Sequence, residues 1–219
     1  MIAAALLLAA APAPFTCGAV TRPGIAEQGE DGVWRGRAVE VCRAVAGQVQ
    51  PAAAVAFHGY DTLADLRRAA EDRIAFLSAA ELATLPVRGL RAGSVVAVER
   101  QVLVVPAASA ATKAADLAAR MICFIVGTRA EDALDAWSAG TATPVERLAF
   151  QEPVEMQDAF DVGKCAAQAV DLTEVPNGTR VLAAPLAATP ILAATSTAAG
   201  EDWARTVATA VEQAAAHPK

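Results

Sequence analysis

Few residues of this 219-residue chain combine in patterns that do chemistry. The four cysteines, Cys17, Cys42, Cys123 and Cys165, are well separated, and none belongs to a C-x-x-C pair. The only two histidines, His58 and His217, stand apart from them, which argues against a zinc centre. Spaced cysteines in even number are expected to oxidise to two disulfides, for which three connectivities exist. No Ser/His/Asp or Cys/His set assembles, because His217 lies in the tail and His58 near the end of an expected strand. One segment carries a clear local signal. Gly127 is followed by Thr128-Arg-Ala-Glu131, a capping-box pattern that starts a helix. The threonine hydroxyl is expected to cap that helix together with Glu131.

The elements that must position these residues alternate short apolar runs with amphipathic segments, the signature of mainly parallel sheets covered by helices. Residues 15–20, 53–57 and 73–77 read as strands. Residues 37–49 read as a helix with Val39, Cys42, Val45, Ala46 and Val49 on one face. Asp61 is expected to cap a helix to about 71, with Leu63 and Leu66 inward, and a shorter helix follows near 79–85. Residues 95–98 and 101–105 read as two strands, 112–120 as a helix and 121–126 as a strand. The Thr128 helix runs to about 138. A strand at 144–150, a helix at 153–162 opening on proline, a strand at 164–170, extended pieces at 180–183 and 191–194, and a helix at 201–216 complete the chain. Prolines near 105–106 and 184–185 mark two crossings. The expected architecture is therefore a discontinuous lobe of 15–105 and 185–219 with a second lobe, 106–184, inserted into it and a cleft where the two meet.

Hydrophobic residues make up 55% of the chain and aromatics only 5%. Much of that count is alanine, so the core must rest on scattered Val, Leu, Ile and Phe. A net charge of −6 with scattered Lys and Arg excludes a nucleic-acid partner and an anionic membrane surface. Residues 1–14 are apolar, too short to span a bilayer, and end in small residues and prolines, as a secretory signal does. Export agrees with the cysteine usage.

Four stretches then resemble one family in order along the chain. Gly32-Val-Trp-Arg-Gly36 leading to Cys42-Arg-Ala-Val-Ala is similar to the first β–loop–α unit of periplasmic amino-acid-binding proteins, the type II solute-binding fold. Asp116 through Cys123 to Gly127-Thr128 resembles the first strand of the family's second lobe. Gly163-Lys-Cys165 with Asp171 is similar to a further motif, and Gly200-Glu-Asp-Trp203 to the start of the last helix. The resemblance implies bridges Cys17–Cys42 and Cys123–Cys165, each within one lobe. It implies that Gly127 and Thr128 hold the ligand's anionic end, and that Asp171 receives its ammonium or serves only as a strand-end carboxylate. The family's carboxylate-binding arginine, expected just after the third strand, is missing, and Glu81 stands there instead. Losing its two charge-assisted bonds costs roughly 3–6 kcal/mol. Arg22, Arg88 and Arg91 are the available substitutes.

Three function classes follow. The resemblance implies a receptor for an amino acid or small polar solute that serves a membrane permease, without a cofactor or a transmembrane span. The alternative is a periplasmic accessory protein that docks on a protein partner and has lost the solute. An enzyme on the same scaffold has no acid–base set to support it.

Overall fold

The computed structural model describes residues 12–85, 89–141 and 144–216. Most of the signal-like segment, Arg88 and His217 lie outside these residues, as does the side chain of Leu63.

The chain folds into two α/β units, one made of residues up to Ala97 and from Ile191 onward, the other of Val98–Pro190. The changeovers fall inside two long strands rather than at the prolines that mark the crossings in the sequence, because both strands run through without a break.

In the first unit, β1 (Phe15–Val20) lies between β4 (Val55–Tyr60) and β5 (Ile74–Ser78), parallel to both. The end of β12 (Ala187–Ser196) pairs antiparallel with β5 and with the short β6 (Leu90–Arg91). A small hairpin of β2 (Glu27–Gln28) and β3 (Trp34–Arg35) lies between β1 and α1. The period-two alternation of β1 and β5 sends Phe15, Cys17, Ala19, Ile74 and Phe76 to one face, against α1 (Arg37–Val49) and α6 (Glu201–Ala216). Ala75 and Leu77 point to the other face, with Leu66, Ala69 and Leu85. The core is richer in alanine than composition alone suggested: Ala19, Ala38, Ala193 and Ala204 are fully buried, letting helices approach the sheet closely. Arg37 Nη2 donates to the carbonyls of Ala214 and Ala215 at 3.3 and 3.2 Å, capping the end of α6.

The expected helix from Asp61 is shorter than its pattern suggests. It is a single turn, α2 (Leu63–Leu66), that tightens into a 3-10 turn over Arg67–Glu71. The Oγ1 of Thr62, rather than Asp61, accepts from Asp65 N. The next helix, α3 (Ala79–Thr84), opens on a full capping box of Ser78 and Glu81.

In the second unit, β10 (Ala167–Asp171) lies between β7 (Val95–Pro106), antiparallel, and β8 (Met121–Ile125), parallel. β9 (Glu146–Phe150) pairs parallel with β8, and β11 (Thr179–Val181) antiparallel with β7. α4 (Arg129–Gly140) covers one face over Ile122, Phe124 and Ala169. α5 (Pro153–Asp161) covers the other over Val104, Cys123 and Val170. The two strands expected at 95–98 and 101–105 are one, since Glu99 in the middle is buried and paired rather than turned to solvent. The helix expected at 112–120 is only a 3-10 turn, Ala114–Leu117. One carboxylate oxygen of Asp116 accepts from Thr112 N, Thr112 Oγ1 and Lys113 N, a local arrangement that competes with further helix.

Each unit carries one disulfide. Cys17 on β1 is bonded to Cys42 on α1, and Cys123 on β8 to Cys165 ahead of β10.

Candidate functional site

Open α/β sheets bind ligands beyond the carboxyl ends of their strands, where the connections of two neighbouring strands depart in opposite directions. In the first unit that point lies between β1 and β5. From β1 the chain passes through α1 to β4 on one side, and from β5 it passes through α3 to β6 on the other. Arg22 stands just beyond β1 and Glu81 in the first turn of α3, beyond β5. They meet there as an ion pair, Arg22 Nη2 donating to Glu81 Oε1 at 2.5 Å. The other oxygen of Glu81 accepts Ser78 N at 2.8 Å, while Ser78 Oγ accepts Glu81 N at 3.2 Å. Arg22, one of the available substitutes, is therefore buried and already paired. Its side chain is 3% exposed and neutralised by the chain's own carboxylate. Arg91, another possible substitute, pairs with Glu201.

The corresponding point of the second unit lies between β8 and β10. β8 leads through α4 to β9 on one side, and β10 leads on to β11 beyond β7 on the other. The structure brings Gly127, Thr128 and Asp171 to this edge, the first two following β8 and the last ending β10. Thr128 caps α4, its Oγ1 accepting Glu131 N at 3.3 Å and donating to Ile125 O at 2.7 Å. The Glu131 carboxylate reaches back to Gly127 N at 2.6 Å, so an internal anion sits where an external one was expected. Asp171 accepts from Thr173 N at 2.9 Å, Thr173 Oγ1 at 2.6 Å and Gln101 Nε2 at 3.2 Å. It thereby caps the 3-10 turn Leu172–Glu174 while remaining half-exposed. Two neighbours that sequence reading did not single out belong to this region. Gln101 is buried on β7, and the buried Glu99 is paired with Arg129 at the start of α4 at 3.3 Å.

Solved structures share this arrangement of elements. The second substrate-binding domain of a putative amino-acid ABC transporter from Streptococcus pneumoniae superposes with a TM-score of 0.68 at 12% identity, over 92% of this chain and 94% of that one. A probable amino-acid ABC transporter extracellular-binding protein from Bacillus subtilis gives 0.68 at 13% identity, over 91% and 90%. Substrate-binding domain 2 of GlnP from Lactococcus lactis, in its open conformation, gives 0.67 at 13% identity, over 92% and 89%. The chain has the type II periplasmic-binding-protein fold. No protein-family model and no curated protein sequence matches it.

The first unit of this type II fold holds one more polar cluster that sequence reading missed. The strand expected at 53–57 is shifted to Val55–Tyr60, which places His58 mid-strand rather than at an end. His58 Nδ1 lies 2.9 Å from Asp72 Oδ1, and Tyr60 OH donates to Asp72 Oδ2. Thr16, His58, Tyr60, Arg68 and Asp72 line a hollow of about 480 Å³. Burial raises the Asp72 carboxyl above its ordinary pKa against the opposing hydrogen bond from Tyr60, and burial next to Asp72 raises the Tyr60 phenol. The only sequence signal was the pairing of one histidine and the sole tyrosine two residues apart on a strand. Among the described residues no group of three or more His, Cys, Asp or Glu could hold a metal, and no helix is long and apolar enough to cross a membrane.

Proposed function

We propose that this chain is an exported solute-binding protein that captures a small polar, amino-acid-like solute and presents it to a membrane permease. The observation that carries the reading is the fold shared over nine-tenths of the chain with substrate-binding domains of amino-acid ABC transporters. Support also comes from the polar residues at both switch points, Arg22 and Glu81 in one unit and Thr128, Gln101 and Asp171 in the other. The chain acts by binding, without catalysis or a cofactor, in the periplasm. The neighbours are solute-binding proteins rather than enzymes.

A thermal-shift screen against amino acids, their amides, small organic acids and amines tests the reading. A solute at one hundred times its dissociation constant adds about 2.7 kcal/mol, a shift of roughly 5–10 °C for a chain of this size. Silence across the panel would remove the receptor reading and leave the accessory protein that docks on a periplasmic partner.

A further inference from the structure

Resting on the receptor reading, we propose that Glu81 sets the chemical class of the solute. By holding Arg22, it excludes free carboxylates, so the solute is an amine whose neighbouring carboxylate is absent or masked as an amide. A buried guanidinium at a sheet switch point is by its chemistry a carboxylate receptor, because its planar donors match two carboxylate oxygens. Here that receptor is already filled. Glu81 Oε1 accepts from Arg22 at 2.5 Å, and Oε2 is held by the backbone N–H of Ser78 at 2.8 Å. One carboxylate thus closes an ion pair and a capping box together.

A solute carboxylate could take the place of Glu81 on Arg22 Nη2 only by displacing Oε1, and would then face the like charge of Glu81, still held at Ser78, at its side. Like charges in a shared, poorly solvated site repel strongly, the repulsive element that discriminates one ligand class from another. An amide or simple amine brings no such charge. It meets the part of Glu81 that stays accessible, 16% of the side chain, as a hydrogen-bond acceptor.

The test is calorimetric titration of the full chain with matched pairs: glycine and glycinamide, leucine and leucinamide, arginine and agmatine. The expected result is that the amide or amine of a pair binds about tenfold tighter or more than its acid. Glu81→Gln, which retains a side chain able to close the capping box but lacks the charge, should narrow or reverse that preference. An acid bound as tightly as its amide by the unaltered chain overturns the proposal. So does a preference left unchanged in a Glu81→Gln variant whose circular dichroism is native. Should that variant not fold, the pairs on the unaltered chain decide alone. A panel in which no member of any pair binds defeats the receptor reading itself, and this proposal with it.

Discussion

A carboxylate that neutralises a buried guanidinium and caps a helix is doubly tied to the fold. Glu81→Ala should lower stability by roughly 3 kcal/mol in urea titrations, because it strands much of the charge of Arg22 and opens the Ser78 cap. A merely solvated pair would lose under about 1 kcal/mol. At Asp72 the sign is different. Burial raises its folded pKa above the ordinary carboxylate value, so on acidification the folded chain takes up that proton before the unfolded chain does. Asp72 therefore burdens the fold only above its ordinary pKa, and the burden is complete above the raised one. The stability of the unaltered chain relative to Asp72→Asn should fall as pH rises through that window, measured by denaturant titration at several pH values. A difference that grows with pH would contradict the burial argument. Thr128, Gly127 and Asp171 could be nominated from local pattern and resemblance, since each stands where a strand hands over to a turn or helix. Arg22–Glu81 could not, because its partners are 59 residues apart and meet only through the order of the strands. That Glu131 would close on Gly127 N rather than only complete a cap at Thr128 was likewise invisible in a four-residue pattern.

Elements were legible where a long amphipathic run could be anchored in the core. The face read for 37–49 contains Val39, Cys42, Val45 and Ala46, all buried, and the helix is α1 with the same ends. Segments 61–71 and 112–120 carry weaker patterns, and local side-chain bonds from Thr62 and Asp116 settle them as short turns. One close approach sets a limit on substitution. Gly36, ahead of α1, has φ of 108°, and a Cβ there would come within 2.5 Å of Ile25 O. Gly36→Ala should cost about 1–3 kcal/mol by thermal denaturation. The Cys17–Cys42 and Cys123–Cys165 bridges span 25 and 42 residues. Their reduction should remove about 3–4 kcal/mol each on the chain-entropy estimate, lowering the urea midpoint of the reduced chain. An unchanged midpoint would mean that the unfolded chain is constrained in some other way.

At the scale of the whole molecule, the α/β class was legible because alternating apolar runs and helices leave few alternatives. The points at which the chain leaves and re-enters the first unit were harder to place. Prolines are visible in sequence, whereas the changeovers at Ala97–Val98 and Pro190–Ile191 lie within unbroken strands. Function at this scale reduces to whether the folded chain takes up a single small molecule. Native mass spectrometry of the full chain, incubated at millimolar concentration with each amine, amide and amino acid, reads that directly. A one-to-one complex with at least one amine or amide is the predicted spectrum. Only the unliganded mass across the whole set, from a chain with intact disulfides and native circular dichroism, would contradict it.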